Sequence, residues 1–285
     1  MRVAFGTVIY KMAHSYQEDY INAINNQDTK DFDVLLLNDN LNNEKCEYLT
    51  NRIKQKIIWV NRKTDMTIPE LKIELIKSAK EKEYELLIFG DFDDSFSENR
   101  ISQYILNYDS KYSFYYNELY YMDQKNRFFY MLPPIVEEIN PILECNFLGF
   151  SNTALNMNTI DHTLLNSLNT KQTIAFDWMV FSLLLLQGHK GKKIEDCLTY
   201  YRIHEHNIAG ETHYSIEGLK KEVEIKVAHY SKLVGIDSRY LGLYKFYTDL
   251  KNSFTTNLLL KKLTINNQYW WGSINKDDVL RDWPL

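Results

Sequence analysis

The chain has 285 residues, 45% of them hydrophobic and 25% charged, enough for a full-sized core and too apolar for a disordered polymer. Its 33 lysines and arginines are outweighed by 38 aspartates and glutamates, a formal charge of -5 that argues against nucleic acid as a partner. Three scattered cysteines, Cys46, Cys145 and Cys197, have neither disulfide-framework nor zinc-ligand spacing and suit a reducing cytosol.

In chain order, the first residues carry no signal-peptide core. Residues 2–10 read as a buried strand, and Tyr16, Tyr20, Ile24 and Gln27 share one helical face behind it. The apolar run 34–37 is a second strand that stops at Asn38-Asp39-Asn40, so strand, helix and strand form the first unit of a parallel sheet. Residues 56–60 give a third strand, followed by a helix from about Pro69 with Leu71, Leu75 and Ala79 on one face. A fourth strand, 85–89, runs into Gly90-Asp91-Phe92-Asp93-Asp94, and a helix begins near Ser97 with Ile101 and Ile105 inward.

Beyond this point residues 112–121 and 127–132 read as aromatic-rich strands joined about 123–126. Pro133, Pro134 and Pro141 punctuate a loop, 146–150 makes a short strand, and 176–187 is a helix apolar all round, closed by Gly188. The most apolar stretch, 178–186, falls far short of the ~20 residues that cross a bilayer. From about Ser215 the pattern is helical, with Leu219, Val223, Val227, Tyr230 and Val234 in register. The expected fold is α/β: a mostly parallel sheet flanked by helices over residues 1–212, with a helical C-terminal extension over 213–285.

Open parallel sheets bind ligands outside the carboxyl ends of their strands. Asp39 sits at one such end, and Asp91, Asp93 and Asp94 at another. Three carboxylates within four residues repel one another unless a cation or bound donors offset their charge, and hard oxygen ligands suit Mg2+ or Mn2+. The same composition also describes an ordinary solvated turn. Asp177, at the start of an apolar helix, reads as an N-terminal cap or as a functional carboxylate. The His204-Glu205-His206 cluster adds imidazoles, although alternate residues of a strand point to opposite faces.

Together these segments resemble the inverting family 2 glycosyltransferases of the GT-A fold. Residues 30–40 look like the family's opening strand, and Asp91-Phe92-Asp93-Asp94, with Asn99-Arg100 behind it, resembles its DxD motif. Phe176-Asp177-Trp178 matches the place of the acidic-aromatic motif, and Tyr201-Arg202-Ile203-His204 resembles the YRxH ending, in the family's order over residues 2–210. The resemblance implies a metal-dependent transfer of sugar from a UDP-, GDP- or dTDP-linked donor to a glycan or lipid-linked acceptor. It assigns Asp93 to Mn2+ or Mg2+, Asp91 to the ribose or a metal-bound water, and Asp94 to bracing the loop. Asp39 would meet the base with Thr7 nearby, Lys72 would meet a phosphate, and His204 would join the metal shell or contact the diphosphate. Asp177 would be the general base that inverting transfer requires.

Departures from the family pattern are also legible. Phe176 stands where many relatives carry Glu, Leu183 approximately where they carry Arg, and Asn38 where they often carry Asp. The alternative is therefore a degenerate domain that binds a nucleotide sugar or glycan without turnover. An unrelated nucleotide-binding fold would show a Gly-rich loop after the first strand, and Gly6-Thr7-Val8-Ile9-Tyr10 supplies none. Residues 144–152 resemble the strand lining the acceptor side. Tyr115, Tyr116, Tyr120 and Tyr121 suit sugar stacking and core packing alike. Trp270-Trp271-Gly272 suits a cleft cover, a membrane interface or simple burial. The expected location is cytoplasmic, with peripheral contact at the inner membrane face and room for a homodimer.

Overall fold

In the computed structural model, residues 1–10, 16–62, 65–124, 126–170, 173–204, 207, 215–252, 269–277 and 279 are described. Apolar runs bounded by polar turns build the first half of the sheet. Strands β1 (Val3–Tyr10), β2 (Asp33–Asp39), β3 (Ile57–Asn61) and β4 (Leu86–Phe89) pair in parallel in the order β3-β2-β1-β4. Their connections are helices α1 (Gln17–Asn25), α2 (Asn43–Arg52) and α3 (Ile68–Glu81). Helix α3 starts where the sequence says it should: Thr67 and Glu70 form a reciprocal capping box and Pro69 sits in the first turn.

The second half comprises β5 (Ser95–Phe96), α4 (Arg100–Leu106), β6 (Phe114–Tyr121), β7 (Ile135–Val136), β8 (Thr153–Asn156), α5 (His162–Thr170), α6 (Phe176–Leu186) and β9 (Gly191–Tyr201). The sheet continues β4-β8-β6-β9-β5, with β7 on β9. Strand β8 runs antiparallel to β4 and β6, whereas β6 and β9 are parallel, with an irregularity between Tyr116 and Glu118. Two further helices, α7 (Ile216–Leu233) and α8 (Ser238–Asn252), follow.

Side-chain alternation along the strands divides the core in two. Phe5, Ile9, Val34, Leu36 and Ile88 pack with α1, α2 and α4 on one face; Ala4, Val8, Leu35, Leu37 and Phe89 face α3, α5 and α6. Helix α6 is buried all round because α7 covers its outer side: Trp178 stacks on His229 at 4.0 Å, and Phe181 meets Phe114 at 5.1 Å. Burial and the neighbouring Lys226 push the His229 pKa down to about 3, so this ring is a neutral core residue. Gly188, at φ +82°, ends α6 in the left-handed conformation that glycine adopts without cost.

Several expectations need correction. Residues 127–132 form no strand; one isolated bridge, Tyr120 to Arg127, is all that pairs there. The segment 146–150 likewise holds a single bridge, Asn146 to Trp270, and the strand begins three residues later at Thr153. The fourth helix starts at Arg100 instead of near Ser97. Tyr115 and Tyr116 are fully buried, bonded to the carbonyls of Asp109 and Pro133, and belong to the core; Tyr120 and Tyr121 are half-buried. The 212/213 boundary lies outside the described residues, and α7 and α8 share one core with α6. Among the described residues no helix is long and apolar enough to cross a membrane.

Candidate active site

The carboxyl ends of β1, β2 and β4 open on a cleft of about 440 Å3. The short helical turn before β8, the first turn of α6, the end of β9 and the Trp270-Trp271 pair close its other sides. Strand alternation decides which β1 residues reach it: Val8 and Tyr10 line the cleft, while Thr7 points to the opposite face. Fully buried, Thr7 donates to the Gly90 carbonyl at 2.8 Å and accepts from the Tyr20 hydroxyl at 2.9 Å. Thr7, expected near the base, here braces β1 to Gly90 at the start of the acidic turn.

That turn is wrapped by donors from distant parts of the chain. The buried Asp94 carboxylate accepts from the Ser151 hydroxyl and, at 2.8 Å, from the Arg202 backbone N–H. Arg202 also donates through Nε to the Asp93 carbonyl at 2.8 Å and through Nη2 to Asp19 at 2.5 Å. Beneath the turn, fully buried Arg100 donates to Asn117 at 3.0 Å and to the Ser151 carbonyl at 2.8 Å. Asp94 is thus held from two sides, by Ser151 and by Arg202.

The other two aspartates face the cleft. Asp93 Oδ2 lies 2.6 Å from His204 Nε2, and the His204 ring stacks on Tyr16 at 5.6 Å. Burial and the charge of Asp91 push the Asp93 pKa upward, against the opposing pull of His204. For Asp94, burial and both neighbouring carboxylates act in the same direction, raising its pKa well above the usual carboxylate range. Asp91 pairs with Lys72 Nζ at 2.5 Å, and that ammonium also sits 5.0 Å over the Phe150 ring. Of the expected shell of Asp91, Asp93 and His204, the structure brings Asp93 and His204 into contact, while Asp91 turns to Lys72.

Among the described residues no three His, Cys, Asp or Glu side chains form a closed metal centre. One carboxylate and one imidazole suit a divalent cation whose remaining positions are filled by phosphate and water oxygens, as Mn2+ and Mg2+ accept.

At the far side, Asp39 pairs with Arg62, which also reaches Asp65 at 2.9 Å. Arg62 is missing from the sequence reading because a lone arginine in an irregular segment carries no pattern. Asp177 occupies the second position of α6, whose N-cap is Ala175, so it is not the cap itself. Its Oδ1 accepts the Trp178 N–H at 2.7 Å. Burial raises its pKa to about 7; the Trp178 N–H and the Lys72 charge act against this and Asp91 adds to it. Phe176, in place of the family's frequent glutamate, packs against Phe150 with centroids 6.0 Å apart and supplies part of that apolar surrounding. Glu205 and His206 lie outside the described residues.

No protein-family model and no curated protein matches the chain. Solved structures do. Residues 1–349 of TarS from S. aureus, in complex with UDP-GlcNAc, align with a TM-score of 0.61 at 17% identity over 94% of this chain and 78% of that one. The same protein with UDP gives 0.57 at 15% identity, covering 94% and 77%. The mannosyltransferase PcManGT from Pyrobaculum calidifontis, in complex with GDP-Man and Mn2+, gives 0.55 at 11% identity, covering 89% and 70%. At these identities the likeness is one of fold: the chain has the mixed α/β, GT-A architecture of these glycosyltransferases.

Proposed function

We propose that the chain is a metal-dependent, inverting glycosyltransferase that moves a sugar from a nucleoside-diphosphate donor to a hydroxyl of a glycan or glycolipid acceptor. The observation that carries the reading is the convergence in one cleft of Lys72 with Asp91, Asp93 with His204, and Asp177 with its pKa near 7. The bound ligands named for the structural neighbours, UDP-GlcNAc and GDP-Man, are donors of this class.

The sheet suggests a division of labour. Strand β4 ends at the acidic turn; β1, β2 and β3 lie to one side of it, and β8, β6 and β9 to the other. Asp39 and Arg62 belong to the first side and would receive the base, Asp39 accepting from a ring N–H. Lys72 would meet a phosphate as a point charge, releasing Asp91 to the ribose or to metal-bound water. Asp93 and His204 would hold Mn2+ or Mg2+, which when bound neutralises charge growing on the departing diphosphate.

Asp177 would take the proton of the acceptor hydroxyl as that oxygen attacks the sugar from the face opposite the leaving group. A base with a pKa near 7 is half ionised at neutral pH and still basic enough to accept a proton. The first-turn N–H groups of α6 stabilise the carboxylate form.

The reading is tested by thermal shift with UDP-, GDP- and dTDP-linked sugars, with and without Mn2+. A ligand at a hundred times its Kd stabilises by about 2.7 kcal/mol. Mn2+-dependent stabilisation by one nucleotide class supports the proposal, and its absence with all three overturns it.

A further inference from the structure

The first turn of α1 grips the segment that leaves β9. Tyr16, half-buried, is the N-cap of α1, and its side chain makes no capping hydrogen bond. Helix N-caps favour Ser, Thr, Asp and Asn, whose short side-chain oxygens reach the free N–H groups, so helix stability does not account for a tyrosine there. The ring instead stacks on His204, with centroids 5.6 Å apart and planes 16° from parallel, and its centroid lies 4.8 Å from the Arg202 guanidinium carbon. One turn on, the Asp19 carboxylate accepts from Nη2 of the same guanidinium at 2.5 Å.

Three contacts constrain different freedoms of His204. Its backbone N–H donates to Asn207 Oδ1 at 2.5 Å, which sets where the side chain begins. Nε2 lies 2.6 Å from Asp93 Oδ2, which sets the direction of one ring nitrogen. A single hydrogen bond leaves the ring free to turn about it, and contact with the flat face of Tyr16 removes that freedom. Imidazole holds a cation in the plane of its ring, along the lone pair of a nitrogen. The plane of His204 therefore decides whether it and Asp93 converge on one point.

We propose that Tyr16 is a positioning residue: its ring sets the plane of the His204 imidazole, and with it the site that Asp93 and His204 offer to a divalent cation. The inference rests on the glycosyltransferase reading and adds a residue that belongs to none of the motifs. Arg202, held by the same ring, donates through Nε to the Asp93 carbonyl at 2.8 Å, so the start of α1 braces both partners of the Asp93–His204 contact. The role needs the flat face of the ring and not its hydroxyl.

The test combines Mn2+ titration in the presence of UDP, GDP or dTDP, followed by electron paramagnetic resonance, with NMR relaxation of the 13C-histidine-labelled chain without metal at one fixed pH. Tyr16→Leu should weaken apparent Mn2+ affinity about tenfold, the lower end of what is lost when a group that orients a metal-binding histidine is removed. Tyr16→Phe, which keeps the ring, should stay within about twofold of the unaltered chain. In a His204→Ala background Tyr16→Leu should have no further effect, because no imidazole is left to orient. Nucleotide affinity of Tyr16→Leu without Mn2+ should match that of the unaltered chain. The order parameter of the His204 ring C–H bonds, identified by their absence from His204→Ala, should fall in Tyr16→Leu and hold in Tyr16→Phe. An unchanged order parameter in Tyr16→Leu overturns the positioning role. A fallen order parameter with unchanged Mn2+ affinity, or equal losses with and without His204, overturns its bearing on the cation. If Tyr16→Leu does not fold, Tyr16→Met, which also removes the ring, carries both readouts. If the unaltered chain binds neither nucleotide nor Mn2+, the glycosyltransferase reading fails, and the order parameters, which need no metal, decide the positioning by themselves.

Discussion

The Asp93 carboxylate and the His204 imidazole meet at 2.6 Å across 111 residues of chain, joining the acidic turn after β4 to the segment leaving β9. Arg202, two residues before His204, reinforces the joint through Asp94 and the Asp93 carbonyl. Removing either partner should therefore weaken metal-dependent nucleotide binding before it harms the fold. His204→Ala should lower apparent Mn2+ affinity by about 10–100-fold, the range seen when a metal-site contact is lost. Asp93→Ala should abolish the Mn2+-dependent part of the thermal shift with the nucleotide. Titration of Mn2+ at fixed nucleotide checks both.

Asp177 sets the expected pH dependence. If Asp177 is the base, as proposed, its pKa of about 7 makes it competent as the proton leaves, so kcat/KM should rise through about pH 7 and level off above it. Asp177→Asn should remove both the activity and this limb. For stability the sign runs the other way. Between the ordinary aspartate value of 3.8 and about 7, the folded chain holds a proton that the unfolded chain has released, so folding stability falls as pH rises. The Asn variant should match the original chain near pH 4, gain on it up to about pH 7, and hold a constant advantage above. Denaturant unfolding of both proteins across pH checks the trend.

Lys72 pairs with Asp91 at 2.5 Å and is nearly buried, so its removal leaves a carboxylate facing the cleft without its cation. Lys72→Met should weaken nucleoside-diphosphate binding by about tenfold, a loss typical of one charge-assisted contact. Mononucleosides, which carry no phosphate, should bind the variant and the original chain alike. Calorimetric titration of UDP against uridine, or of the GDP and dTDP pairs, makes the comparison.

Arg100 is fully buried, with no carboxylate bonded to it among the described residues and three aromatic ring centroids, those of Phe5, Phe96 and Tyr104, within 5.7 Å of its guanidinium carbon. Its planar fork serves Asn117 and Ser151 at once, which an ammonium does not reproduce. Arg100→Lys should cost about 2–3 kcal/mol, because it keeps a buried charge and loses the fork that serves both acceptors. Arg100→Met, with no charge to desolvate, should cost less. Urea unfolding of the two variants establishes the order.

What was legible in the sequence follows from local pattern strength. Strands β1 to β4 announce themselves as largely apolar runs, and Pro69 marks the start of α3, where the structure adds the Thr67–Glu70 capping box. Helix α2 escaped notice because only Leu49 of its ten residues is buried, which leaves no apolar stripe. Strand β9 escaped because polar residues interrupt its eleven positions; its pairing with β6 is set by tertiary contacts. In the cleft, Asp39, Asp91, Asp93, Asp177 and His204 could be singled out by their places at strand ends and in motifs. The Lys72–Asp91 and Asp39–Arg62 pairs, and the Thr7 bond to Gly90, depend on side-chain direction at the carboxyl ends of the strands, which no spacing encodes.

The central claim is that Asp177 serves as the base for transfer from a donor bound across the acidic turn. It is tested most directly by measuring nucleoside diphosphate released with Mn2+, donor and saccharide acceptor, for the unaltered chain and for Asp177→Asn. The account predicts release from the unaltered chain, and at least a hundredfold less from the variant, about the share a general base contributes, with donor binding preserved. Equal release from both proteins, or donor bound but never consumed by either, would contradict it.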